Sequence, residues 1–338
     1  MQAALALAER GRGRTAPNPS VGCVIVKHGK VVGRGWTQPG GRPHAEAMAL
    51  AEAGGAARGA TVFTTLEPCA HASPRGPACS DLLVEAGVAT VVAALGDPDP
   101  RTDGRGHDRL RAAGIAVETG SRADDARRSM AGFLTRQMLG RPHVTLKLAT
   151  SLDGCIALAT GESKWITGAP ARAHAHLERA RHEAILVGRG TYEADEPALD
   201  VRLEGLEDRS PRRLLLTRHA GLVPASNVPP ATSPEDGWTP EQVRGDGWEL
   251  VASPQAITQL QTIDHLLVEG GAQTASAFLA ADLVDRLLLY RAPILIGGGK
   301  PAIGDIGLGN LADAHGRWRL RDTRMLGIDT LEEYERTR

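Results

Sequence analysis

Four residues within the first eighty could assemble a hydrolytic centre: His44 and Glu46, just after Pro43, then Cys69 after Glu67-Pro68, and Cys79. One imidazole and two thiolates can hold zinc through three protein ligands, which leaves a fourth coordination position for water. Zinc brings the pKa of such a water from about 15.7 to roughly 7, so a nucleophile is available at neutral pH. Glu46, a carboxylate not needed as a ligand, can then carry protons between that nucleophile and a leaving group. Two plainer readings compete. A lone cysteine is usually a small buried hydrophobe, and with His71 as a fourth ligand the same residues would make a closed structural site. The pair His44 and Glu46 argues for catalysis, because a structural site has no use for the carboxylate.

The elements around these residues suit that chemistry. HAEAMALAEAG reads as a helix begun by Pro43 and closed by Gly54-Gly55, and Cys79-Ser80-Asp81 leads into the apolar run LLVEAGV. All three ligands are expected at helix starts, where the positive end of the helix favours thiolate over thiol. His44-Ala45-Glu46 and Pro68-Cys69 resemble the H-x-E and P-C-x-x-C signature of zinc deaminases that act on nucleobases. Nine residues rather than two separate Cys69 from Cys79.

The 338 residues imply two domains, each large enough for its own core. With Lys+Arg 39, Asp+Glu 40 and aromatics at 3%, the chain lacks both the basic surface and the stacking platforms of a nucleic-acid binder. A small-molecule substrate is expected, with no nucleic-acid or membrane partner; association into a homo-oligomer is compatible with the sequence. No run approaches the roughly 20 apolar residues of a membrane span, and no export signal is visible. Cys23, Cys69, Cys79 and Cys155 are too few for a disulfide framework, which points to a cytoplasmic protein.

Along the chain, a helix (Ala3 to Arg10), a hairpin (VGCVIV and VVGRGW), the His44 helix, the strand TVFTTL, a helix after Cys79, TVVAAL, the loop GDPDPRTDGRGH, a helix and IAVETG alternate as in an α/β sandwich. One helix from about Ser121 to Leu139 closes this unit, and Gly140-Arg141-Pro142 ends it, giving domains at 1–140 and 143–338. The second half reads as VTLKLATSLDGCIAL, a helix near Ala169 to Arg181, the strands AILVG, RLLLT, HLLVEGG and DRLLLYRAPILIGGG, and a C-terminal strand near Thr323 to Gly327. A long surface loop is expected between Leu222 and Gly247. Gly188-Arg189-Gly190, Gly270-Gly271 and Gly297-Gly298-Gly299 follow strands; each alone reads as a plain turn, and no G-x-G-x-x-G opens a helix, so a Rossmann fold is not indicated.

TAPNPSVGCVIV, PHAEAMAL, TLEPCAH and DPDPRTDGRG resemble, in order and spacing, the deaminase half of the bifunctional deaminase/reductase family of riboflavin biosynthesis. LKLATSLDG, GESKWIT, ILVGRGTYEADEPALDVR, VEGGAQTASAFL and APILIGGG resemble its reductase half, so the likeness covers nearly the whole chain. The resemblance implies a cytidine-deaminase-like α/β/α sandwich followed by a dihydrofolate-reductase-like α/β domain. It implies hydrolytic deamination of a diaminopyrimidinone ribosylamine phosphate with Zn²⁺, then reduction of the ribosyl group to ribityl with NADPH. It makes His44, Cys69 and Cys79 the zinc ligands, Glu46 the proton shuttle, Asn18 a partner of the pyrimidine and Arg75 a partner of the phosphate. In the second half it assigns Ser163, Arg179, Leu199, Arg202 and Glu269 to substrate. It assigns Ala149, Trp165, Thr191, Asp195, Gly271, Ala272, Gln273, Thr274, Ala275, Ser276 and Ala277 to the cofactor. Three departures accompany it: the Cys69 to Cys79 loop is one residue longer, Thr37 stands where a histidine is expected, and Thr217-Arg218 replace an aspartate and a small hydroxyl residue. A paralogue acting on a related pyrimidine or nucleoside is the alternative within enzymes. A noncatalytic zinc scaffold is disfavoured by Glu46 and Arg202.

Overall fold

The computed structural model describes residues 1–217 and 247–338. Arg218 and the loop expected beyond Leu222 therefore lie outside the described residues, up to Asp246. The chain divides into two compact units, Met1–Arg141 and Pro142–Arg338, and no described helix is long and apolar enough to cross a membrane.

The first unit is built on a five-stranded sheet of order β2-β1-β3-β4-β5. Its strands are β1 (Gly22–Lys27), β2 (Lys30–Trp36), β3 (Thr61–Thr64), β4 (Thr90–Ala93) and β5 (Ala116–Thr119). β1 runs antiparallel to β2 and β3, whereas β3, β4 and β5 are parallel. Helices α1 (Gln2–Ala8), α2 (Ala45–Ala53), α3 (Cys79–Ala86) and α4 (Arg105–Ala112) flank it. The alanines of α2 serve close packing as well as helix propensity. Ala45 and Ala49 are fully buried, and a Cβ on Gly33 or Gly35 of β2 would come within 2.1 Å of their carbonyl oxygens. The single helix expected from Ser121 to Leu139 is instead two, α5 (Ala123–Ser129) and α6 (Ala131–Leu139). Met130 between them leaves helical geometry (φ −107, ψ 21), and its side chain is buried in the core with Ala126 and Phe133.

The second unit carries an eight-stranded sheet of order β10-β9-β8-β11-β6-β12-β15-β14. These are β6 (His143–Thr150), β8 (Ala184–Gly188), β9 (Arg212–Leu216), β10 (Trp248–Val251), β11 (His265–Val268), β12 (Arg286–Arg291), β14 (Trp318–Leu326) and β15 (Asp329–Arg336); a small pair, β7 (Cys155–Ala157) with β13 (Lys300–Pro301), stands apart. Strands from β10 across to β12 are parallel, and β15 and β14 add antiparallel. β8 and β11 are buried along their whole length, as the continuous apolar runs AILV and LLV require of central parallel strands. Helices α7 (Ala169–Arg179), α8 (Arg189–Asp195) and α9 (Ala272–Ala280) follow β7, β8 and β11. The one C-terminal strand expected near Thr323 to Gly327 is half of a hairpin. Its partner β15, DTLEEYER, has the composition of a solvated loop, and it is held in the sheet by cross-strand ion pairs: Arg286 with Glu333 at 2.7 Å, Arg291 with Glu332 at 2.5 Å and Arg321 with Glu335 at 2.5 Å.

Candidate active sites

The carboxyl ends of parallel strands, where open α/β sheets bind ligands, gather the chemistry of both units. In the first, His44 is the N-cap of α2 and Cys79 the first residue of α3. Cys69 opens no helix: it lies in the irregular segment between β3 and α3, which corrects the expectation of three helix-start ligands. The start of α3 reaches it all the same, because the Cys79 backbone N–H donates to Cys69 Sγ at 3.2 Å.

His44 Nδ1 is 3.3 Å from Cys79 Sγ and 3.6 Å from Cys69 Sγ, and the three donor atoms lie within 4.8 Å of one another. Zn–S bonds of about 2.3 Å and a Zn–N bond of about 2.0 Å at tetrahedral angles require edges of roughly 3.5–3.8 Å, so this triangle fits zinc with little adjustment. Among the described residues no other His, Cys, Asp or Glu joins the group. His71 points elsewhere, its Nδ1 3.3 Å from Thr102 Oγ1, so the closed four-ligand reading fails. A hydrogen bond from the Cys79 thiol holds Cys69 down at about 4 against the opposing effect of burial. The same contact, with burial, pushes Cys79 up. A cation held here would require both sulfurs as thiolates, so its binding would release the proton that Cys79 keeps.

Glu46 is 3% exposed, and the Thr64 hydroxyl lies 3.1 Å from its Oε1 and from the Leu66 carbonyl. Burial raises the Glu46 carboxyl, with His44 opposing. A cavity of about 490 Å³ exposes Glu46, His44 and Cys69 together with Asn18, Arg75 and Asp97. Asn18 Nδ2 donates to the Gly41 carbonyl at 2.7 Å and lies 3.1 Å from His44 Nε2, so this residue orients the ligand ring as well as facing the cavity. The Arg75 guanidinium donates to the Gly40 carbonyl at 2.8 Å. Thr37 is buried in the cavity wall, where its hydroxyl accepts the Val21 N–H at 3.0 Å. Sequence reasoning missed Thr64 and Asp97. Burial pushes the Asp97 carboxyl up to about 7; its signal in the sequence is its place at the head of the motif DPDPRTDGRG, to which no residue role is attached.

In the second unit Glu269, just after β11, pairs with Arg179 at the end of α7 through two bonds of 2.9 Å, Nε to Oε1 and Nη2 to Oε2. Lys147 Nζ of β6 is 3.8 Å from the same carboxylate. Burial would raise Glu269, but Lys147 and Arg179 together bring it down to about 2. Arg179 also donates to the Asp200 carbonyl at 3.1 Å, which joins the segment of Leu199 and Arg202 to the cluster. Leu199 has a left-handed backbone (φ 53) and a side chain buried against Val187, Leu215 and Trp248, so its backbone alone is available. Arg202 is exposed, its Nε 3.3 Å from Asp200 Oδ1. Lys147 lies within the run LKLATSLDG, and nothing in its local sequence marks it as the partner of Glu269.

Ser163 and Trp165 lie on an exposed segment before α7, with the Arg172 guanidinium 4.5 Å over the Trp165 ring. Lys164 Nζ reaches Asp195 Oδ1 at 3.0 Å, and the Gly271 N–H donates to Thr191 Oγ1 at 3.3 Å. The structure thus brings the 163–165 segment to the end of α8, and the start of α8 to that of α9. Gly188 and Gly271 are helix N-caps rather than plain turns, whereas Gly297 lies in a loop held by Asp153. Ala149 pairs with Tyr290 across the sheet. The run 271–277 is not uniformly open. Gly271, Ala272 and Gln273 are accessible, whereas Thr274 to Ala277 are buried, Ala275 in the core and Ser276 accepting the Gly304 N–H at 2.7 Å. Thr274, Ala275, Ser276 and Ala277 are consecutive and together cover most of the helix circumference, so α9 is enclosed on nearly all sides over this stretch.

A zinc triangle with a buried carboxylate in a deaminase-type sandwich, joined to a mixed-sheet domain of reductase type, defines the class: a two-domain deaminase and reductase. Residues 1–95 match the cytidine and deoxycytidylate deaminase zinc-binding region, and residues 142–331 match the RibD C-terminal domain. The riboflavin biosynthesis protein RibD of Escherichia coli K12 is 42% identical over 358 residues, covering 97% of this chain and 96% of the relative. Acinetobacter baumannii RibD superposes with a TM-score of 0.84 at 37% identity, over 100% of this chain and 98% of the other. A Thermotoga maritima diaminohydroxyphosphoribosylaminopyrimidine deaminase/reductase does so with a TM-score of 0.82 at 31% identity, over 100% and 97%. The chain belongs to the RibD family of bifunctional deaminase/reductases of riboflavin biosynthesis. Its cofactors are zinc in the first domain and NADPH in the second.

Proposed function

We propose that the first domain hydrolyses the exocyclic amino group of a diaminopyrimidinone ribosylamine phosphate and that the second reduces the ribosyl group of the product to ribityl. The observation that carries this reading is the opening of His44, Cys69 and buried Glu46 into one cavity, with Cys79 behind them completing the metal triangle. Zinc held by His44, Cys69 and Cys79 supplies the polarisation that lets water attack near neutral pH. The Glu46 carboxylate takes a proton from the attacking water and returns it to the departing nitrogen. The Thr64 hydroxyl steadies Glu46, Asn18 meets the edge of the pyrimidine, and Arg75 meets the phosphate with its planar fork of donors.

In the second domain Arg179, held by Glu269, acts on the substrate together with Ser163, Arg202 and the backbone of Leu199. Trp165, Thr191, Asp195 and the accessible start of α9, together with Ala149 of β6, form the NADPH side. Hydride transfer needs chiefly placement of the nicotinamide against the acceptor, which these residues supply by orientation and charge. All four cysteines are free thiols, which supports a reducing, cytoplasmic location. Purified zinc-loaded protein given the pyrimidine phosphate should release ammonia without NADPH, and should oxidise NADPH once the deaminated product is present. Absence of ammonia release would refute the first assignment, and absence of NADPH oxidation on authentic deaminated product the second.

A further inference from the structure

Glu67 stands two residues before Cys69, and its side chain is fully buried. Its carboxylate is engaged by a loop far along the chain. Oε2 accepts the backbone N–H groups of Asp97 at 3.2 Å and Gly104 at 3.1 Å, while Oε1 accepts those of Gly106 at 2.9 Å and His107 at 3.2 Å. Only an ionised carboxylate offers two oxygens that are acceptors throughout; every other side chain of this length would set a donor or an apolar atom against one of these N–H groups. Left unpaired, buried backbone donors of this kind are costly. Packing agrees with the bonding, since a Cβ on Gly106 would fall 2.0 Å from the Pro68 carbonyl oxygen and 3.0 Å from Glu67 Oε1. The loop backbone is therefore pressed against the Glu67-Pro68-Cys69 segment. Between its anchored ends the same loop carries Asp97, Asp99 and Arg101 into the wall of the 490 Å³ cavity, with Asp99 gripping the Arg101 guanidinium at 2.9 Å.

We infer that Glu67 is a positioning residue for deamination: its carboxylate is the template on which the 97–107 loop folds, and it sets where Asp97, Asp99 and Arg101 stand relative to His44, Cys69 and Cys79. The inference rests on the reading that this cavity takes the pyrimidine phosphate.

The test uses the full-length, zinc-loaded protein and the variant Glu67→Gln, whose amide N–H₂ opposes two of the four donors. Charge-assisted bonds of this kind matter enough that the deaminase KM is expected to rise about tenfold or more, with kcat within about threefold of the parent. Zinc should stay at one per chain, and NADPH oxidation on deaminated product should be unchanged. Trypsin, which cuts after Arg101 and Arg105, should nick this loop about fivefold faster or more, as expected where ordered backbone is released. Gly106→Ala, which displaces the loop from its own side, should raise KM in the same way and serves if Glu67→Gln does not fold. An unchanged KM with unchanged nicking would overturn the proposal. So would zinc loss from Glu67→Gln, which would assign the residue to the metal segment instead. Failure of the parent itself to deaminate would overturn the substrate reading, while faster nicking in the variant would still uphold the role of Glu67 in holding the loop.

Discussion

Glu46 and Glu269 are both buried carboxylates, and their partners give them opposite characters. Glu46 has a hydroxyl and two thiols for neighbours, and burial raises it. Replacing it by glutamine preserves shape but removes proton transfer, so ammonia release should fall by about 10²- to 10⁴-fold, while NADPH oxidation on deaminated product continues; paired assays on Glu46→Gln check this. Glu269 is held at about 2 by Lys147 and Arg179 despite its burial. A carboxyl depressed in the folded state below its unfolded value of about 4.3 contributes stability above that pH and loses it as pH falls toward about 2. Urea midpoints measured from neutral to acid pH should therefore fall less steeply in Glu269→Gln than in the parent. Arg179→Leu should cost about 3 kcal/mol at neutral pH, because it removes the closer partner of a buried charge; at an m-value of about 2 kcal/mol/M this is a fall of about 1.5 M in urea midpoint, and a fall under about 0.3 M would contradict it. Lys147, outside the motif-based set, belongs to this cluster because β6 and β11 pair in the sheet, a fact no local pattern encodes.

The element that matters most to the metal is α2, which carries His44 at its cap and Glu46 in its first turn. It lies close to β2 because glycines face alanines. A Cβ on Gly35 would meet the Ala45 carbonyl at 2.1 Å, whereas one on Gly55 would meet nothing within 4 Å. Gly35→Ala should destabilise the fold by about 1–3 kcal/mol through overpacking and weaken zinc retention in a chelator competition, with Gly55→Ala as the neutral control. The helix itself was legible, since HAEAMALAEAG is alanine-rich and bounded by Pro43 and Gly54. Its depth against β2 was not, because glycines in VVGRGW read locally as weak points of a strand. The same limit applies to Cys69. Pro68 looks like the first residue of a helix, but the chain there is drawn along the loop that Glu67 binds, and the α3 amide comes to the sulfur instead.

At the scale of the whole chain, each unit has its own core, one around Ile25, Val62, Leu83 and Phe133 and the other around Leu146, Leu186, Leu214 and Phe278. Zinc bound to the folded state stabilises only the unit that holds its ligands. Calorimetry of chelator-treated protein should show one transition moved to lower temperature while the other stays, with ammonia release lost and NADPH oxidation kept. A single transition moving as a whole would show that the units unfold together.

Some of this protein is written in residue types and short spacings. His44 with Glu46, two cysteines, the strand and helix alternation and the ordered motifs of two catalytic halves are local facts, and they specify chemistry and class before any fold is seen. The rest depends on contacts between residues 30 to 140 positions apart, such as the bonds of Glu67 to the 97–107 loop and of the Val144 N–H to Asp285. Only strand register and layer packing decide those. That is why the exclusion of His71 from the metal triangle, the Lys147–Glu269–Arg179 cluster and the docking of β15 on β12 belong to the tertiary structure alone. In each case a polar side chain or backbone N–H in a buried setting had to find a partner, and the partner lies elsewhere in the chain.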